Sequence, residues 1–144
     1  MSKAKAQKKR KQPSVGADVM NDLVARALEV RKNAHAPYSK YKVGAAILTR
    51  SGKVFTGCNV ENASFGATIC AERGAVMQMI AAGEREPIAC AVVTKDGGSP
   101  CGICRQVLSE FTHAMPMALV GTQDPASTQV VDLADLLPLM FELR

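Results

Sequence analysis

Tryptophan is absent from the 144 residues, and only two tyrosines and four phenylalanines are present. A core made without large rings must be filled by small aliphatic side chains and methionine. Histidine is equally sparse: His35 and His113 are the only two, both near expected helix ends, so neither is expected to ligate a metal. No apolar run approaches the roughly 20 residues of a membrane span. The N-terminus is basic, but no apolar signal segment follows it. A cytoplasmic location without a membrane partner is therefore expected.

Charge is distributed unevenly. The overall balance is +5, yet Lys3, Lys5, Lys8, Lys9, Arg10 and Lys11 stand together with no acid among them. The remaining 12 bases face 13 acids, so the body is nearly neutral. Residues 1–13 are read as a disordered basic tail and residues 14–144 as one domain, long enough to bury a core of its own. No aromatic interleaves the lysines, so a nucleic-acid partner is not expected.

Cysteine is what the chain does have. Cys58, Cys70, Cys90, Cys101 and Cys104 make an odd count without an export signal, which argues against a disulfide framework and for metal or redox chemistry.

Hydrophobic periodicity sets the expected elements. Apolar residues from Gly16 to Ala34 recur at helical spacing, and Pro37 closes that segment. "KVGAAIL" (42–48) and "VFTGCNVE" (54–61) read as a hairpin around Gly52. A helix is expected from Cys70 to Ala82, with Gly83 at its C-cap. A strand at 88–94, a helix from Cys101 to Thr112, a strand at 117–121 and a short helix before Pro138 complete the order. The alternation implies an α/β fold with a mixed sheet covered by helices.

"CAE" at 70–72 and "PCGIC" at 100–104 carry the chemistry. Cys101 and Cys104 are spaced so that two sulfurs at a helix start reach one ion. Cys70 opens a second helix, and exposed N–H groups at both starts favour thiolates. Zinc suits such a set, being tolerant of sulfur and redox-inert. A structural zinc would want a fourth protein ligand; Cys58 and Cys90 lie in expected strands, where cysteine is usually a small buried hydrophobe. Three ligands leave one position for water, the arrangement of a catalytic zinc. Glu72, two residues past Cys70, can then serve as proton carrier, whereas alone it would only favour the helix dipole. Three thiolates and Zn²⁺ sum to −1, and Arg73 can drain that charge by hydrogen bonding to sulfur.

Together these stretches resemble the Cys₃ form of the zinc nucleobase deaminase signature. "APYSKYKVGAAILTRSGKVFTGCNVENASFGATICAER" (36–73), "SPCGICRQVLSEF" (99–111) and "LLPLMF" (136–141) are similar to the homotetrameric cytidine deaminases. That resemblance implies a three-layer α/β/α mixed sheet of about five strands. It implies one Zn²⁺ per subunit on Cys70, Cys101 and Cys104, with Glu72 as proton shuttle and Arg73 bonded to zinc-bound sulfur. It also implies Asn59 and Glu61 on the ribose 3′-hydroxyl, the backbone of Ala71 and Ser99 on the pyrimidine amide edge, and Tyr41 near the base. Phe65 and Phe141 match aromatics that reach a neighbouring subunit's site. The implied reaction is hydrolytic deamination of cytidine and deoxycytidine in pyrimidine salvage. Tyr41 stands in place of the family's usual Phe, Gly74 of Thr, and Ile103 of Ala. Two rivals are a deaminase of another small nucleoside such as blasticidin S, and a non-enzymatic module with structural zinc. Arg73 and "NVEN" favour the cytidine reading over the first.

Overall fold

A computed structural model of the chain describes residues 14–143. The basic segment read at 1–13 lies outside the described residues.

A five-stranded sheet forms the middle layer, built from β1 (Gly44–Thr49), β2 (Val54–Cys58), β3 (Pro87–Thr94), β4 (Pro116–Gly121) and β5 (Gln129–Asp132). The strand order is β2-β1-β3-β4-β5. β1 runs antiparallel to both β2 and β3, β3 parallel to β4, and β4 antiparallel to β5. The parallel pair requires a crossover, which helix α3 (Gly102–Ser109) supplies.

Side-chain alternation divides the core in two. Ala46, Ala89, Ala91, Val93, Ala118 and Val120 pack with Met20, Leu23 and Ala27 of α1 (Ala17–Arg31). On the opposite face, Ala45, Ile47, Cys90, Val92, Met117 and Leu119 meet Ala71, Ala75, Val76 and Met79 of α2 (Ala71–Ala81) and Leu108 of α3. This is the three-layer α/β/α arrangement. All eight residues of β3 are buried, because helices cover both of its faces. Aliphatics and methionine do the filling: Ile47, Met79, Met115 and Met117 are fully enclosed, each contributing about 1.5–3 kcal/mol by leaving water. The described helices include none long and apolar enough to cross a membrane.

Several boundaries differ from the sequence reading. α1 ends at Arg31, well ahead of Pro37. His35 is the reason: its N–H donates to the Asn59 carbonyl and its own carbonyl accepts from Glu61 N–H, which draws the chain out of the helix. Leu28, expected on the buried face, is 44% exposed. β2 stops at Cys58, and Val60 continues only as isolated bridges to His35 and Ile69. α3 ends at Ser109 rather than Thr112. Gly83 closes α2 at φ 85°, with the Glu84 amide bonded to the Met79 carbonyl, a left-handed cap that glycine adopts without strain.

Candidate active site

Two helix starts converge beside the sheet. Cys70 is the N-cap of α2, Cys101 is the N-cap of α3, and Cys104 lies in the first turn of α3. Their sulfurs all lie within 4.8 Å of one another. Cys70 Sγ and Cys101 Sγ are 3.9 Å apart. Among the described residues this is the only such cluster of ligating groups. Cys90 is fully buried in β3 and takes no part, and burial pushes its thiol well above the ordinary range. Cys58, half-buried in β2, also stands outside the cluster. The described residues thus supply three sulfurs and no fourth cysteine.

The donor set fits zinc. A hydrogen bond from Cys104, opposed by burial and aided by Arg73 and Cys101, brings the Cys70 thiol down to about 5. Cys104 moves up, because it donates to Cys70 and is buried near Glu72. The Arg73 Nη2 donates to Cys70 Sγ at 3.4 Å and to the Thr68 carbonyl at 3.1 Å. Its Nε is buried with no hydrogen-bond partner. A guanidinium bonded to the Cys70 sulfur suits a site whose negative charge rises when the thiols lose their protons to solvent on binding a metal.

Glu72 is 5% exposed, on the first turn of α2, with Oε2 3.7 Å from Cys104 Sγ. Burial first, and the Cys70 thiolate second among the raising influences, hold its proton more tightly than an ordinary carboxylate does. Burial thus favours the protonated carboxyl more than in an ordinary glutamate, which suits a group that carries a proton.

A cavity of about 450 Å³ lined by Tyr38, Ser39, Glu61, Phe65 and Thr68 has the volume of a small-molecule site. A second, of about 460 Å³, lies at the β5 edge against Pro116, Val130 and Asp135, and no cysteine lines either cavity. In the first, the Glu61 carboxylate accepts the N–H groups of Tyr38 at 2.9 Å and Ser39 at 3.0 Å, and the Ser39 hydroxyl. These bonds, led by the hydroxyl, hold its carboxyl below the usual 4.5. Asn59 is buried; its Oδ1 accepts Val43 N–H and its Nδ2 donates to the Tyr41 carbonyl, each at 2.8 Å. Phe65 is 75% and Phe141 69% exposed, and the Phe65 ring meets Tyr38 edge-on at 5.9 Å. Ala71 is fully buried.

Three features escaped the sequence reading. Arg105 donates to the Pro100 carbonyl, the Ser99 hydroxyl and the Leu136 carbonyl, each at 2.8 Å, fastening the residues just before Cys101. The Tyr41 hydroxyl donates to Asp96 Oδ1 at 2.5 Å. Gly57 admits α2 to the sheet, since a Cβ there would lie 2.3 Å from the Ala71 carbonyl oxygen. Each depends on partners distant in sequence, and no local pattern signals it.

The thiol cluster, with its buried glutamate and arginine, agrees with comparisons to known proteins. Residues 18–119 match the family model described as the cytidine and deoxycytidylate deaminase zinc-binding region. The chain belongs to this family. A cytidine deaminase of Halalkalibacterium halodurans is 41% identical over 121 residues, covering 83% of this chain and 91% of its own. One from Mycobacterium tuberculosis is 46% identical over 125 residues, covering 85% and 90%. The crystal structure of cytidine deaminase from Burkholderia pseudomallei superposes with TM-score 0.79 at 45% identity, covering 84% of this chain and 98% of that one. Sheet order and helix placement therefore belong to a fold already seen in this family of zinc-binding deaminases.

Proposed function

We infer that the chain hydrolyses cytidine and deoxycytidine to uridine and deoxyuridine, with release of ammonia, and that Glu72 is its proton carrier. The observation that carries this reading is a carboxyl, 95% withdrawn from solvent, beside three convergent thiols. Cys70, Cys101 and Cys104 would hold the zinc, which when bound supplies the Lewis acidity that makes water a nucleophile near neutral pH. Glu72 takes one proton from the attacking water and passes it to ring N3, then takes the second from the hydroxyl formed on C4 and delivers it to the amine, which leaves as ammonia. Its tightly held proton suits an acid as well as a base. Arg73 offsets the charge of the thiolates.

The remaining residues bind and orient. The Glu61 carboxylate and the Asn59 amide clasp the ribose 3′-hydroxyl, beside the cavity that Glu61 lines. Backbone groups at Ala71 and Ser99 take the pyrimidine amide edge, with Tyr41 near the base. The rings of Phe65 and Phe141, exposed in the single chain, would be covered by neighbouring copies in a homotetramer that shares its sites. Five unpaired cysteines suit a reducing compartment such as the cytoplasm. A structural zinc module would need a fourth ligand, and the described cysteines beyond the cluster stand apart from it.

The test is ultraviolet-monitored turnover of cytidine, deoxycytidine and blasticidin S by the zinc-loaded protein and by Glu72→Ala. Cytidine loss by the parent protein and none by the variant, at equal zinc content, is expected. Retained turnover in Glu72→Ala would overturn the role of Glu72. Turnover of blasticidin S alone would move the assignment to another small nucleoside.

A further inference from the structure

The six residues Lys95–Pro100 lead directly into Cys101 and carry Ser99. Arg105 fastens one end of this loop, at the Ser99 hydroxyl and the Pro100 carbonyl, while the glycine turn before Ser99 is held separately. Thr94 Oγ1 accepts the N–H of Gly97 at 2.8 Å and of Gly98 at 3.0 Å. Asp96 Oδ1 accepts Gly98 N–H at 3.2 Å and the Thr94 hydroxyl at 3.3 Å. Gly97 sits at φ 77° against Gly121, a left-handed turn suited to glycine. The Tyr41 hydroxyl reaches the same Asp96 oxygen from across the site, at 2.5 Å. A Cβ on Gly98 would stand 3.1 Å from that hydroxyl, so glycine leaves room for it.

Tyr41 is itself tightly aimed. Lys40, just before it, has φ 59°, a left-handed conformation that costs a residue with a Cβ about 1–2 kcal/mol. The Lys40 N–H donates to the Ala36 carbonyl at 3.1 Å. Tyr41 N–H donates to Ser39 Oγ at 3.0 Å, and the Ser39 hydroxyl donates to Glu61. The Tyr41 carbonyl accepts from Asn59 Nδ2 at 2.8 Å. An unbroken series of hydrogen bonds therefore runs from Glu61 and Asn59, through Tyr41 and Asp96, to the Gly98 amide.

We propose that Tyr41 and Asp96 are a positioning pair for the deamination: their hydrogen bond locks the 95–98 turn that leads into Ser99, whose hydroxyl Arg105 holds, at a fixed distance from the Glu61–Asn59 clasp. This rests on the nucleoside reading of the site given above. The pair acts through the loop and needs no contact with the reacting atoms. Without it, the substrate must order the loop on binding, so affinity for the nucleoside falls more than the rate of its conversion.

Tyr41→Phe keeps the ring and removes only the tether. Its KM for cytidine is expected to rise about fivefold, the size of one net hydrogen bond, with a smaller change in kcat. Asp96→Ala should show the same split, and the double variant should be no worse than either single one. Asp96→Asn keeps an acceptor oxygen for the tyrosine and should return KM to near the parent value. A brace that mattered only to stability would lower the melting temperature and leave KM of the zinc-loaded protein unmoved. Amide exchange at Gly98, followed by NMR on the zinc-loaded protein, reads the loop without any turnover, and Tyr41→Phe should speed it several-fold. Unchanged Gly98 exchange and unchanged KM in an active Tyr41→Phe, or losses that multiply in the double variant, would overturn the proposal. A parent protein silent on cytidine would instead overturn the deaminase reading.

Discussion

Arg73 places Nη2 3.4 Å from Cys70 Sγ and leaves its buried Nε without a partner. The guanidinium thus faces the thiol cluster with more donor capacity than the free thiols use. Thiols that lose their protons to solvent on binding zinc would carry more charge for it to offset. Arg73→Gln removes that cation. It should lower kcat by about 10–100-fold, the usual range for groups supporting a metal's ligands. Arg73→Lys should fall between, since it keeps the charge but its compact ammonium on a different stem replaces the Nη2 that serves both Thr68 and Cys70. Steady-state kinetics on variants of matched zinc content make the test. Parent-like kcat in Arg73→Gln would show that its charge is immaterial.

Two glycines beside α2 should respond oppositely to alanine. At Gly57 the added Cβ would lie 2.3 Å from Ala71 O and 2.4 Å from Ala75 N. Both are backbone atoms, so the helix that carries Glu72 must shift. Gly57→Ala should cost about 3 kcal/mol or more and lower kcat as well. At Gly74 the nearest atoms would be 3.7 Å and 3.8 Å away, an ordinary contact. Gly74→Ala should stabilise by about 0.5–1 kcal/mol through helix propensity. Thermal unfolding of both variants, with kcat alongside, decides between a packed and an open approach.

The contrast between these glycines marks what the sequence could show. Cys70, Cys101 and Cys104 were legible because a helix start and a C-x-x-C spacing are local. Gly83 was legible for the same reason. β5 was not singled out, since Gln129–Asp132 is a four-residue edge strand, half of it exposed, with little alternation to mark it. Pairing with β4 creates it. Tyr41 carried a hydroxyl in need of a partner, but that partner, Asp96, lies 55 residues on. The Arg105 clamp on Leu136 spans 31 residues. Spacing reveals side chains that share one helix turn, while tethers between loops emerge only when the sheet order is known.

Glu61 supplies a pH dependence. Hydrogen bonds from Ser39 and Tyr38 hold its carboxyl below the usual 4.5. A depressed carboxyl contributes stability that is full above the unfolded value and disappears as pH falls through the folded one. The melting temperature of the parent protein should therefore exceed that of Glu61→Gln near neutral pH. The gap should begin to narrow below the usual 4.5 and close as pH falls through the depressed folded value, where both proteins carry a neutral side chain. Taking the difference between the two proteins removes the effect of acid on the thiols, which they share. A gap independent of pH would mean that the carboxylate charge contributes nothing to fixing Tyr38 and Ser39.

The metal-free protein offers a test of the thiol assignments. Cys70 has its thiol lowered to about 5, while Cys104 and Cys90 are held protonated above the ordinary range. The thiolate is the species that reacts with iodoacetamide. At about pH 6.5, Cys70 should be alkylated well before Cys104 or Cys90, as peptide mapping by mass spectrometry would report. Arg73→Gln should slow that reaction, because it removes a hydrogen bond to the Cys70 sulfur. Zinc should block it by occupying the sulfur. Binding should also release the proton that Cys104 holds, giving a metal uptake that acidifies a weakly buffered solution. Cys104 reacting first would reverse the assignment, placing the thiolate beside Glu72, where its charge would reinforce the neutral carboxyl that burial already favours.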